Sequence, residues 1–78
     1  SNETLAAEVY RVIQAKVAAE SEPARHEVVA RVHPDLAAYF EEEGREDLAR
    51  LEAALDVKVI VQPADKQQHR EEYDIRLR

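Results

Sequence analysis

The chain has 78 residues, of which 45% are apolar and 36% charged, so it has room for one domain and too much apolar content for a disordered tail. It contains no cysteine, which excludes a disulfide framework and any cysteine-ligated zinc site within these residues and favours a reducing compartment. The net charge of -6 disfavours nucleic acid as a general partner through long-range repulsion, although a local basic patch can override that repulsion.

No apolar segment approaches the roughly 20 residues that a membrane span needs, and the N-terminus lacks the order of a signal peptide. We therefore expect a cytoplasmic protein without a membrane span. Ser1-Asn2 resembles the remnant of a cleaved purification tag, and the chain stops on a strand pattern at Arg78. We expect residues 1–78 to form a single domain excised from a larger protein.

A first helix is predicted from Glu3 to about Ala19, with Asn2 or Thr4 as its cap and Ser21-Glu22-Pro23 as its end. Its apolar residues recur at helical spacing at Leu5, Val9, Val12, Ile13 and Val17. A strand follows, because Val28, Ala30 and Val32 alternate with Glu27, Val29 and Arg31.

His33-Pro34 opens a second helix, with His33 as the predicted cap and an apolar stripe at Leu36, Tyr39 and Phe40. Gly44, the only glycine, is predicted to adopt a positive φ and close that helix. A third helix spans Arg45 to Leu55. Two further strands are predicted on either side of a polar loop from Ala64 to about Glu71, with apolar faces formed by Val57, Val59 and Val61 and by Tyr73, Ile75 and Leu77.

The element order is therefore α-β-α-α-β-β. Three strands with one apolar face each, and three helices with one apolar stripe each, predict an α+β fold. We expect a two-layer sandwich in which helices cover one face of a three-stranded sheet.

Several short motifs resemble the small C-terminal domain of the ribonuclease E/G family of endoribonucleases. The motifs are Val32-His33-Pro34, Leu36-Ala37, Tyr39-Phe40, Arg45, Leu48, Leu51-Glu52, the strand from Val57 to Pro63, His69, Glu71 and Tyr73-Asp74-Ile75, and the first helix is also in register. Most matched positions are core positions, and the distinctive ones are His33-Pro34 and His69 to Tyr73.

The resemblance implies a parent endoribonuclease that cleaves single-stranded RNA with magnesium held by carboxylates in a separate catalytic domain. It also implies an S1-type RNA-binding domain and a cysteine-based zinc link, both upstream of this segment. Neither ion is therefore expected within these residues. No catalytic residue transfers to any position here, and the implied role is accessory: packing against other domains or subunits of the parent enzyme, with a homo-oligomer as one form of assembly.

The strand-helix-helix-strand core also looks like a KH module, in which a G-x-x-G turn lets the backbone approach RNA phosphates. Here Glu42-Glu43-Gly44-Arg45 occupies that turn and places negative charge where a phosphate would sit. A free-standing KH-like RNA-binding module, or an unrelated protein-interaction module, remains the alternative.

Residue patterns for catalysis or metal binding are weak. Glu41 to Glu43 read as a solvated charge run rather than a catalytic pair. His26, His33 and His69 lack the spacing of zinc ligands, and neither Ser1 nor Ser21 has the base and acid that a nucleophile needs. We therefore assign no catalytic and no metal-binding residue.

Two candidate contact surfaces are predicted. Arg25, Arg31, Arg76 and Arg78 form a basic strip if the first and third strands are neighbours, the alternative being ordinary cross-strand pairing of these arginines with Glu27 and Asp74. The candidate RNA contacts are Arg31, Arg45, Arg76 and Arg78. Val29 and Ile60 point to the polar face of the sheet, which makes that face the predicted subunit or domain interface.

Overall fold

The computed structural model describes residues 1–21, 27–66 and 68–78. It contains three helices, α1 (Asn2–Ala19), α2 (Pro34–Glu41) and α3 (Arg45–Leu55), and three strands, β1 (Glu27–Val32), β2 (Lys58–Pro63) and β3 (Tyr73–Leu77). The helices pack on a mixed sheet, which confirms the predicted α+β class and element order. None of the described helices is both long and apolar enough to cross a membrane.

The sheet has the order β2-β1-β3. β1 runs parallel to β2, with Val28 opposite Val59, and antiparallel to β3, with Val28 opposite Leu77. β1 is therefore the central strand, and its inner face is the most deeply buried of the three. Val28, Ala30 and Val32 are each at most 1% exposed.

The core lies between this inner face and the helices. Buried residues of α1 recur at Ala6, Val9 and Ile13, and α2 contributes Leu36, Ala37 and Phe40, so each helix turns one apolar stripe toward the sheet. Full burial of a side chain such as Ile13 is worth about 1.5–3 kcal/mol relative to leaving it exposed. The ring of Phe40 meets Tyr10 of α1 at a centroid distance of 5.7 Å, which joins the two helices.

The helix ends differ in part from the sequence-based prediction. His33 caps α2 as predicted, because its Nδ1 accepts a hydrogen bond from the backbone N–H of Asp35 at 3.1 Å. The prediction for α1 was wrong: its cap is Ser1, whose Oγ accepts from the N–H of Thr4 at 3.2 Å. The predicted stop at Pro23 lies outside the described residues, and α1 ends at Ala19 with Glu20 as its C-cap.

The prediction for Gly44 was also wrong in its physical reason. Gly44 has a φ of -89°, which any residue adopts, so no left-handed conformation is needed there. A Cβ at this position would instead lie 2.7 Å from the Tyr39 ring. The left-handed residue is Asp56, which ends α3 with a φ of 54°. Aspartate tolerates that conformation better than most L-residues.

Candidate functional site

The helix-free face of the sheet is the candidate site, and we call it the open sheet face. Strand pleating turns alternate residues away from the helices, and the strand register places those residues in three rows. The open sheet face consists of Lys58, Ile60 and Gln62 on β2, Glu27, Val29 and Arg31 on β1, and Asp74, Arg76 and the adjoining Arg78 on β3.

The centre of the open sheet face is apolar. Val29 lies directly opposite Ile60 on one side and Arg76 on the other. Both aliphatic side chains are half-buried, and no large hydrophobic side chain in the described part of the chain counts as exposed. The strand register thus places Val29 and Ile60 side by side on this face, and their role as an interface stays a prediction.

The periphery of the open sheet face is charged, with four basic side chains and two acidic ones. Arg76 Nε donates to Asp74 Oδ2 at 2.6 Å, and Arg78 Nε donates to Glu27 Oε1 at 3.2 Å. The alternative interpretation of the arginine strip expected cross-strand pairing with both acids, and only the Arg78–Glu27 pair crosses strands; Arg76 and Asp74 pair within β3. Such exposed pairs stabilise a fold by about 0–1 kcal/mol each, so they leave the arginines available to a partner.

Arg31 and Lys58 are the two cations of this face that form no ion pair with a described residue. Arg31 is exposed and lies opposite Asp74, whose carboxylate binds Arg76. A groove on this face is lined by Arg31 together with Val29, Gln62, Asp74, Arg76, Leu77 and Arg78. The grouping of Arg31, Arg76 and Arg78 is as predicted, because β1 and β3 are neighbours; Arg25 lies outside the described residues.

The fourth candidate arginine does not join this group. Arg45 is the first residue of α3, in the helical layer on the opposite side of the sheet, where it follows Glu41, Glu42, Glu43 and the buried Gly44. The structure therefore places three of the four predicted RNA contacts on the open sheet face and the fourth on the opposite side of the sheet.

Comparison with protein-family models finds a match to the "RNase E/G, Thioredoxin-like domain" family over residues 1–77. The chain belongs to that family. A comparison with curated protein sequences found no match. Membership in the RNase E/G family links the domain to RNA processing by ribonucleases of this kind.

The described histidines and carboxylates of this RNase E/G family domain do not form a metal-binding cluster. His33 is occupied as the cap of α2, His69 is exposed in the segment before β3, and His26 lies outside the described residues. Among the residues that the structure describes, no three histidine, aspartate or glutamate side chains lie close enough to hold a metal ion.

The three tyrosines have raised pKa values for related reasons. Burial, with Asp47 nearby, raises the pKa of Tyr10 to about 12, and the Tyr10 hydroxyl has no hydrogen-bond partner in the described residues. Burial and then a hydrogen bond to Glu8 raise the pKa of Tyr73, whose hydroxyl donates to Glu8 Oε1 at 2.8 Å. Burial also raises the pKa of Tyr39, with the nearby carboxylates of Glu3, Asp47 and Glu43 adding to the effect.

Lys58 and Gln62 are the members of the open sheet face that were not singled out from the sequence. The available signal was that both alternate with the inward-facing Val57, Val59 and Val61, which places them on the same face as Ile60. What the sequence did not show was the parallel pairing of β2 with β1, which brings Lys58 beside Glu27 and Gln62 beside Arg31.

Proposed function

We propose that this RNase E/G family domain is a non-catalytic accessory domain of a longer RNase E/G-like endoribonuclease, and that it packs against another domain or subunit of that enzyme. The observation that carries the proposal is the open sheet face. A sheet with helices on one side only leaves its second side to water or to a partner, and here the uncovered side has the Val29–Ile60 pair at its centre.

The distribution of acidic residues supports an accessory role. Magnesium takes oxygen ligands at near-octahedral positions, and zinc takes three or four convergent nitrogen, sulfur or oxygen ligands. The carboxylates of Glu41 to Glu43 follow one another at the end of α2 instead of surrounding a common point, and the described residues contain no such cluster. These residues do not fit either ion, and we place both ions of the parent enzyme outside this domain.

The packing role is tested in the enzyme that carries the domain. Ile60→Asp should weaken subunit or domain assembly, measured by sedimentation velocity, because it buries a charge at the contact. Arg45→Asp, on the helical layer, is the matched control and should leave assembly unchanged. The rate at which each catalytic site cleaves a short single-stranded RNA should be unchanged in both variants.

The isolated 78-residue chain should not cleave single-stranded RNA in the presence of magnesium. A ribonuclease activity that copurifies with the chain and disappears in the double variant Glu42→Ala/Glu43→Ala would contradict the accessory role. The gene provides a second test, because we expect its reading frame to extend upstream with a cysteine motif and separated magnesium-binding carboxylates. A reading frame that starts near Glu3 and stops at Arg78 would favour a free-standing module.

A second candidate function is direct RNA binding, favoured by the basic excess of the open sheet face. We expect single-stranded RNA to bind more weakly than about 10 μM at physiological salt, because non-specific electrostatic contacts fall in that range. Filter binding measures this. Tight, salt-sensitive binding that is lost in Arg31→Ala would favour the RNA-binding module, and loss in Arg45→Ala with a gain in Glu43→Gly would favour its KH-like form.

A further inference from the structure

We propose that the open sheet face docks an acidic surface of another polypeptide, with carboxylates of the partner binding Arg31 and its basic neighbours around an apolar contact at Val29 and Ile60. The inference rests on the proposed packing role and specifies the chemistry of the partner.

Charge is distributed unevenly over the molecule. The whole chain carries -6, yet on the open sheet face Lys58, Arg31, Arg76 and Arg78 outnumber Glu27 and Asp74. The rest of the chain therefore carries a net charge more negative than the -6 of the whole molecule. A basic face on an acidic molecule orients an approaching acidic partner toward that face and repels it elsewhere.

The arginines already show the chemistry of the contact. Arg76 and Arg78 both bind carboxylates of the domain itself, and the guanidinium fork has five donors, so each arginine retains donors for a second carboxylate. Arg31 has no such partner among the described residues, although it stands in the central strand between Gln62 and Asp74. Lys58 also lacks an ion-pair partner there but lies on the outermost strand β2, so Arg31 is the central position at which an external carboxylate can bind.

A protein surface fits the open sheet face better than single-stranded RNA does. Strong single-strand binding uses aromatic side chains on which bases stack. The aromatic residues of this domain lie on other faces: Tyr10, Tyr39 and Phe40 are in the helical layer, and Tyr73 bonds to Glu8 of α1. The open sheet face offers aliphatic Val29 and Ile60 at its centre instead, which match the apolar core of a protein interface.

A second copy of the domain is a poor occupant in the symmetric arrangement. A two-fold axis would place the same basic face against itself, so that Arg31 and Arg76 met their own counterparts. Like charges brought together in this way oppose association. An asymmetric contact with the acidic helices of a second copy remains an outcome of the test.

The test uses the ¹⁵N-labelled 78-residue chain and three probes of equal net charge. The first is a helix-forming peptide of about 20 residues in which leucine forms one stripe and glutamate the other face; the second replaces its leucines with alanine; the third is a single-stranded RNA. The leucine-glutamate peptide should shift amide resonances of β1, β2 and β3 and bind most tightly of the three. Replacing leucine with alanine should weaken binding because the Val29–Ile60 contact is lost.

Two charge reversals provide the matched comparison. Arg31→Glu and Arg45→Glu change the net charge equally and replace exposed arginines without an ion-pair partner among the described residues, one on each side of the sheet. Arg31→Glu should weaken the peptide about tenfold or more, whereas Arg45→Glu should change the affinity less than about twofold, because only Arg31 would touch the peptide. Lys58→Glu serves as the second variant if Arg31→Glu fails to fold.

Four results would overturn the proposal: tighter binding of RNA than of the peptide, equal weakening by both reversals, shifts confined to α2 and α3, or self-association of the chain that Arg31→Glu abolishes. The last would make a second copy the occupant. If Ile60→Asp disrupts assembly of the parent enzyme while Arg31→Glu leaves peptide binding intact, only the acidic partner is refuted and the packing role stands.

Discussion

Gly44 illustrates how a single residue is required for space rather than for backbone conformation. The Cβ of an alanine would meet the Tyr39 ring at 2.7 Å and the Tyr39 carbonyl oxygen at 3.3 Å. Gly44→Ala should therefore reduce the free energy of unfolding by about 1–3 kcal/mol, as overpacking does. The measurement is urea unfolding in a double-mutant cycle with Tyr39→Ala.

Removal of the Tyr39 ring should relieve most of that loss. An equal loss of stability from Gly44→Ala in the parent chain and in Tyr39→Ala would show that the ring contact is not the cause, and that the backbone of the turn is.

The tyrosines predict a dependence of stability on alkaline pH. The pKa of Tyr10 is raised from 10.0 to about 12 by burial, so above pH 10 the unfolded chain releases this proton before the folded chain does. The contribution to stability is complete below pH 10 and is lost as the pH rises toward 12. Urea unfolding midpoints in this window should fall less steeply in Tyr10→Phe than in the parent chain.

Tyr73→Phe provides the contrast at neutral pH. It removes the hydrogen bond to Glu8 and should lower the free energy of unfolding by about 0.5 kcal/mol, whereas Tyr10→Phe deletes a hydroxyl without a described partner and should cost nothing. Equal losses in the two variants would mean that the Tyr10 hydroxyl does have a partner in the folded chain.

At the scale of the elements, two consecutive residues of β2 lie on opposite faces of the sheet. Val59 is buried, and Ile60 lies on the open sheet face. Val59→Asp should abolish cooperative thermal unfolding because it buries an unpaired charge, while Ile60→Asp should retain a cooperative transition in the isolated chain. Circular dichroism melts measure both, and the reverse result would show that the faces of β2 are exchanged.

Local patterns were sufficient to predict the elements, but not the single residues at which helices begin and end or the pairing of strands. Periods of two and about 3.6 residues located all six elements, since burial of one face imposes them directly. Ser1 rather than Asn2 caps α1, and Asp56 rather than Gly44 takes the left-handed conformation, because periodicity locates a helix but not its exact terminal residue. Strand order likewise required the structure.

At the scale of the whole molecule, the candidate site exists only because three distant segments meet. The sequence predicted that Arg31, Arg76, Val29 and Ile60 share the polar face, but it predicted each strand separately. The central position of β1 brings them together, and the parallel pairing with β2 adds Lys58. No single segment carries the surface, so alternation alone was unable to define its extent.

One further contact lies at the edge of the sheet. Glu52 of α3 extends to β2, where its Oε2 accepts a hydrogen bond from the backbone N–H of Val59 at 2.8 Å. β2 is an outermost strand, so this N–H faces away from β1 and would otherwise offer a donor to an additional strand.

We therefore expect this hydrogen bond to hinder aggregation by edge-to-edge pairing of β2. Glu52→Ala should leave the donor free and accelerate the formation of thioflavin-positive aggregates during prolonged incubation, whereas Glu52→Gln keeps an accepting oxygen and should aggregate as slowly as the parent chain. If the alanine variant also stays monomeric by light scattering, another part of the fold protects this edge. If the alanine variant aggregates faster, a single helical side chain is sufficient to prevent β2 from pairing with the same strand of another molecule.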